Sequence, residues 1–551
     1  MEGFFATLDA INGVMLGVPV LLTLLAVGVL FTLWSAFGQY RSLTHGVALV
    51  AGRVPGVSGQ GEGVLSHFQA LSAALSATVG LGNIGGVAIA VSLGGPGAVF
   101  WMWMVGFAGM ALKSTEVTLS LLYRDTSDPD NPRGGTMWVA KQGLGRLLGS
   151  TTLGALIGAL FAIPLIVFGI TGGNMFQAWN VAETTRSYFG IEPWISGLIL
   201  AVLVAAVILG GIRRIGRIAG VLTPFMCLLY VAGGVYVLVV NAEQLPGVLR
   251  LIFASAFDSA QASGAFTGAA AGTAFIYGMR RALFSSEAGL GSAPIAHAAV
   301  RTPEPVTEGV VAGLEPFIDT LIVCTITALV ILVSGVWNRG PVAAWSETPP
   351  MVLLEGERWQ PAASDLPTGG EKVFRPGDPV FVVVEVDGAR QRLYGEVAVL
   401  DAGIGLQWRP LSSVTTPVLA ENGLFADYPA STLTARAFDT AHEGLGRWMV
   451  TITIWLFALS TLITWSYYGE QGMVYLFGAR SVTPYRVVWC GLIVVTCLGF
   501  IRTDAEIDTL STVALGFMLA VNLPVMLLLG PQAMRAWHDY FRRRALARQA
   551  G

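Results

Sequence analysis

Charge is what this sequence has least of. Only 12% of its 551 residues are charged, 32 basic and 35 acidic, against 54% hydrophobic. The mean hydropathy is +0.65. That much apolar surface exceeds what water-soluble cores can enclose, which excludes a soluble globular protein. The same composition excludes a disordered or fibrous chain. Cysteine is scarce too: Cys227, Cys324, Cys490 and Cys497 all fall in apolar runs, as small buried hydrophobes do, which excludes a disulfide framework. A net charge of −3, with no basic stretch interleaved with aromatics, excludes nucleic acid as a partner. The absence of metal-ligand spacing, or of a nucleophile beside a base, argues against an enzyme, and the absence of a repeated filter sequence argues against a channel.

What is abundant is apolar sequence in runs of membrane length. A helix needs about 20 such residues to cross about 30 Å of hydrocarbon. Windows of that kind occur at 11–39, 147–180, 193–212, 218–241, 259–279, 309–337, 448–469, 487–501 and 509–532. The run from Phe68 to Leu112 is charge-free, twice the crossing length and interrupted by Leu93-Gly94-Gly95-Pro96-Gly97, so it reads as two spans and a turn. The expectation is an all-α polytopic protein of about eleven transmembrane helices, with the lipid bilayer as its solvent. Basic residues orient it. With the N-terminus outside and the tail 533–551 in the cytoplasm, 20 Lys and Arg fall in inner segments and 3 in short outer loops. The location that follows is a bacterial inner membrane.

Residues 338–442 differ in composition, being acidic, proline-containing and soluble in character. Asp378 to Val386 alternates as a strand, Asp387-Gly388 is a two-residue hairpin signal, and Arg392 to Leu400 reads as the returning strand. Ile404 to Leu411 is a candidate third. A small β-rich extracytoplasmic insert is therefore expected, as a lid, a sensing surface or a tolerated decoration.

Irregular backbone is tolerated within a membrane only where it is buried or lines a cavity. Glycine clusters inside spans therefore mark either close helix packing or a deliberate break. One cluster is Ser76 to Gly86, with four glycines and Asn83, and another is Gly264 to Thr273. With 1–40 set aside as an extra helix, they open two five-span sets, 66–241 and then 259–337 with 443–532. Paired interruptions of this kind point to the midplane site of a secondary transporter. Freed half-helix N-termini attract a carboxylate, while freed carbonyls with Asn and Thr oxygens suit Na⁺. Neither interrupted stretch holds Asp or Glu, so a zwitterion's ammonium would fall to carbonyls, hydroxyls or an aromatic face. A small neutral amino acid is the expected substrate.

Residues 66–124, Phe284 to Ala298 (FSSEAGLGSAPIAHA), Glu315 to Thr327 and Trp465 to Tyr485 closely resemble the alanine or glycine:cation symporter family. The resemblance implies a LeuT-like fold of two inverted five-helix repeats and Na⁺-coupled amino-acid uptake. It further implies that Thr78, Gly80, Gly82 and Asn83 lie at an unwound site whose amides face the substrate carboxylate. Ser76 and Val79 would offer carbonyls to Na⁺, joined by Phe457, Ser460 and Thr461. Thr461 and Trp465 would present a hydroxyl and an indole to the substrate, with Gln177 and Thr273 beside them. The family usually has threonine at Leu81, glutamine near Thr273, and a hydroxyl residue after QAN where this chain reads Gln177-Ala178-Trp179-Asn180. These departures favour "small neutral amino acid" over alanine in particular.

Intramembrane charges are expensive and so are candidates for function. Lys113 and Glu116 read as a structural pair. Glu315 and Asp319, four apart on one helix face, and Glu287 read as gate or network residues, with Arg280, Arg281 or Lys113 as partners. His67 and His297 are expected at the interface. A second function stays open, a transporter-like amino-acid sensor whose insert binds a partner.

Overall fold

The computed structural model describes the whole chain except residues 1, 55–60, 130, 259–265, 268–271, 368, 371–373, 401–402, 429, 501–503 and 551. The protein is mostly helical. Among the described residues seven helices are long and apolar enough to cross a bilayer, and a bent pair makes an eighth crossing. Gly97–Leu122, at 26 residues, is also long enough at about 1.5 Å per residue, although it carries Lys113 and Glu116. The outer helices face lipid with one stripe and the bundle with the other. In Thr151–Phe168, Leu156, Leu160 and Ile163 are more than half exposed while Phe161, Leu165 and Phe168 are buried. In water such a stripe would be a liability. Against acyl chains it costs nothing.

Among the described residues one helix is bent at a break, and another ends in irregular buried backbone. His67–Thr78 begins with a capping box, in which the Ser66 hydroxyl accepts from Gln69 N–H and the Gln69 side chain accepts from Ser66 N–H. It stops at Val79, and the chain resumes as Gly82–Gly94 at an angle of 53°. The second expected break, in the Gly264 to Thr273 run, lies mostly outside the described residues, and Thr273–Ser286 follows it as a continuous helix. That helix ends at Glu287, which takes a left-handed conformation (φ +52°), and irregular buried backbone follows to the short helix Pro294–His297. This is a further interruption, eight residues past the end of the expected 259–279 span.

The insert forms a β module with a seven-stranded and a three-stranded sheet. Pro379–Val386 pairs antiparallel with Ala389–Leu400 in the register Val386 opposite Ala389, leaving Asp387 and Gly388 as the turn. Both have positive φ (51° and 77°), the geometry of a type I′ hairpin. Val380, Val382 and Val384 point to one face and pack with Leu393 and Leu406. The module ends earlier than composition suggests. Ala430–Asp439 is a helix whose side chains, Arg436 and Asp439 aside, are buried in the bundle, where Thr434 Oγ1 donates to Ile84 O (3.0 Å).

Candidate functional site

The first break opens onto a small cavity of ≈ 10 Å³, room for about one water, lined by Thr78, Gly80, Gly82, Gln177, Thr461 and Trp465 among others. Gly80 N–H donates to Asn83 Oδ1 (2.9 Å) and Leu81 N–H to Gln177 Oε1 (3.2 Å). The amides just ahead of the resumed helix are therefore already held by side-chain oxygens, at the positive end of a helix dipole. Asn83 itself does not line the cavity. It closes the break from behind, with Nδ2 donating to Asp319 O (3.2 Å). Gly82 lies close to a ring, since a Cβ there would stand 3.0 Å from Phe284 and the ring would have to give by a few tenths of an ångström.

On the other side of the break, carbonyls and hydroxyls converge. Ser76 O accepts from Thr461 Oγ1 (3.1 Å) and Ser460 Oγ (3.3 Å), Ser76 Oγ donates to Ser460 O (2.8 Å), and Phe457 O accepts from Ser460 Oγ (2.9 Å). Phe457, Ser460 and Thr461 share a face of Thr451–Phe477. This donor set is all oxygen and carries no charge, chemistry that suits a hard monovalent cation. Val79, at the helix end, completes the group in the chain.

Two features of the cavity were not legible in the sequence. Glu287 lines it, buried, with Oε1 accepting from Trp465 Nε1 (3.1 Å) and Oε2 from Ser292 Oγ (2.6 Å). A carboxylate therefore does reach the site, contrary to the reading of the glycine runs, because the further interruption at Glu287 delivers it from outside them. The other is an aromatic wall. Phe168 stands edge-on to Trp465 (4.8 Å between centroids) and Phe284 (5.5 Å). Thr273 is not brought in. It starts the helix whose eleventh following residue, Phe284, touches the cavity, a separation of about 16 Å at 1.5 Å per residue.

The buried charges form a chain. Glu308 pairs with both His67 and His297, His297 Nε2 pairs with Glu315 (2.7 Å), and Lys113 Nζ donates to Glu315 (3.2 Å). All five are at most 3% exposed, so His67 and His297 are buried within the protein. Lys113 pairs with Glu315 and not with its helix neighbour Glu116, which accepts from Gly291 N–H and Asn522 Nδ2 (both 3.1 Å). This chain ties the outset of the broken helix to the segment after Glu287. Asp319 is buried beside Asn83, with one oxygen bonded by Thr320 and the other without a hydrogen-bond partner.

A broken helix beside a small polar cavity inside an apolar bundle is the arrangement of a multi-pass membrane transporter of LeuT-like fold. A solved structure, MhsT in complex with L-phenylalanine, shares that fold with a TM-score of 0.50 at 14% identity, over 87% of this chain and 93% of that one. The model of the sodium:alanine symporter family matches residues 1–349 and 412–550, and the chain belongs to that family. It is 34% identical to "Sodium/alanine symporter AgcS" of Methanococcus maripaludis, over 88% of this chain and 86% of that protein. It is 30% identical to "Putative sodium/proton-dependent alanine carrier protein YrbD" of Bacillus subtilis, over 99% and 93%. A third relative, "Probable sodium/glutamine symporter GlnT" of Bacillus subtilis, is 37% identical over 57% of this chain and 63% of that protein. Residues 350–411, most of the β module, fall outside the family match.

Proposed function

We propose that the protein couples Na⁺ entry to uptake of a small neutral amino acid by alternating access. The observation that carries this reading is the break at Val79 to Leu81, with amides on one side of a small cavity and neutral oxygens on the other. The substrate's carboxylate takes the Gly80 and Leu81 amides, displacing the oxygens of Asn83 and Gln177. Its ammonium faces Glu287, and its side chain meets Phe168, Phe284 and Trp465. Na⁺ takes the Ser76 and Val79 carbonyls with Phe457, Ser460 and Thr461. Both ligands share the same loosened turn, so each favours the other's binding. Rocking of one helix set against the other then exposes the site to either side. The N-terminus lies outside and the basic tail inside, in a bacterial inner membrane.

The test is uptake by proteoliposomes of radiolabelled alanine, glycine, serine and glutamine, with an inward Na⁺ gradient and with choline or K⁺ replacing Na⁺. Accumulation that collapses without Na⁺ supports the reading. Substrate binding without Na⁺-driven accumulation would instead favour a sensor.

A further inference from the structure

Phe284 walls the central cavity and also a second, larger hollow that opens toward the β module, with a volume of ≈ 640 Å³. Its lining is strongly one-signed. Among the described residues that line it, five are arginines, Arg280, Arg281, Arg339, Arg392 and Arg409, against a single acid, Asp427. In a chain of net charge −3 this concentration is local. The arginines come from three places: the helix Thr273–Ser286, the root of the module at Arg339, and the module itself, where Arg392 lies in the strand Ala389–Leu400 and Arg409 just past the strand Gly403–Trp408. Arg392 and Arg409 lie in residues 350–411, which the family match omits. Several of these groups are fixed in position. Arg339 donates to Ala426 O (2.6 Å) and Val336 O (3.2 Å), partners that hold a guanidinium without cancelling its charge. Arg392 lies 4.5 Å from the Phe381 ring centroid, and Arg280 donates to Leu16 O (3.0 Å). Guanidinium forks in a walled hollow are suited to carboxylates, and a cleft lined by one sign of charge raises the local concentration of the opposite sign.

We propose that this vestibule is an outer binding site for the carboxylate of the incoming amino acid, half of it built by the β module. The occupant is set by what lies beyond Phe284. A pure anion is drawn in but meets Glu287 at the next station, whereas a zwitterion can leave its carboxylate among the arginines while its ammonium leads toward Glu287. The module is then part of the access path and not a decoration. The proposal rests on the amino-acid reading above, and lactate separates the two, because it carries the carboxylate and lacks the ammonium.

The experiment compares the parent with the full-length double variant Arg392→Gln/Arg409→Gln and with Arg392→Lys/Arg409→Lys. Saturation-transfer NMR of lactate is recorded in Na⁺-free detergent solution, where no transport is needed. Lactate should bind the parent and the lysine variant and lose its signal with the glutamine variant. In proteoliposomes the glutamine variant should show KM raised about three- to tenfold with kcat within about twofold, as expected when steering charges are lost, and the difference should shrink in high salt. Lactate should inhibit the parent competitively and the glutamine variant weakly. Equal lactate binding by all three proteins, or an unchanged KM, overturns the proposal. Lactate binding that follows the arginines while no amino acid is accumulated overturns the transport reading and leaves an anion site standing.

Discussion

Gly80→Ala puts one methyl group at the centre of the proposed site. A Cβ at Gly80 would stand 2.6 Å from Thr461 Oγ1 and 3.4 Å from Gln177 Oε1. To restore an ordinary 3.4 Å contact, the Thr461 hydroxyl must retreat by roughly 0.8 Å, and it is held by its bond to Ser76 O (3.1 Å). Overpacking of this kind costs about 1–3 kcal/mol, and loss of the hydroxyl bond adds about 1 kcal/mol. If the bound state bears most of that, affinity falls about 5- to 150-fold. Gly86→Ala is the control. It lies on the same segment, but its nearest neighbour is Arg281 Cδ at 3.6 Å, so it should leave affinity unchanged and add a little helix stability. The assay is equilibrium binding of labelled alanine to purified protein in NaCl and in choline chloride, with thermal stability measured alongside. Parent-like affinity in Gly80→Ala with its fold intact would refute the placement of substrate against this turn.

Asn83→Ala removes the side chain that braces the break against Asp319 O, and Thr461→Ala removes one oxygen of the cation group. Each should weaken Na⁺-dependent uptake by at least about fivefold, at roughly 1 kcal/mol or more per lost polar partner, while membrane insertion, checked by detergent extraction and gel filtration, persists; normal uptake by both removes them from the site. Glu287→Gln keeps the size and the hydrogen-bonding reach toward Trp465 and Ser292 but removes the charge. Amino-acid binding should fall about tenfold or more, since hydrogen bonds to charged groups contribute about 1.5–3 kcal/mol, and unchanged binding by calorimetry would show that the ammonium goes elsewhere. Glu308→Ala strips both His67 and His297 of their shared partner. Breaking a buried pair costs about 3–5 kcal/mol, so the melting temperature should drop by several degrees, and a thermal-shift profile matching the parent's would deny the buried chain its structural role.

The first break was legible because its cause is local. Four glycines and an asparagine within eleven residues of an apolar span can be read without knowing any neighbour. The hairpin at Asp387-Gly388 was legible for the same reason, two positions that tolerate positive φ between two alternating strands. Glu287 was not, because it sits beyond the glycine cluster that drew attention and reaches the cavity only through the end of its helix and a left-handed turn. The pairing of Lys113 with Glu315 rather than Glu116 depends on which helix packs alongside, at a sequence separation of 202. Ala430–Asp439 looked like part of the soluble insert because its threonines and charges are polar, yet most of its side chains are buried in the bundle.

Composition and periodicity by themselves determined that this chain lives in a bilayer, where a span must satisfy its own backbone and any break must line something. They also located one break and the β module, since both follow from residues adjacent in the chain. Only the tertiary structure decided what the break faces. It brought Gln177, Glu287 and Trp465 to the same cavity, left Thr273 about three helical turns away, and placed the module's arginines in a hollow that Phe284 also lines. Contacts between residues hundreds of positions apart depend on helix ends, kinks and packing angles that no local pattern encodes.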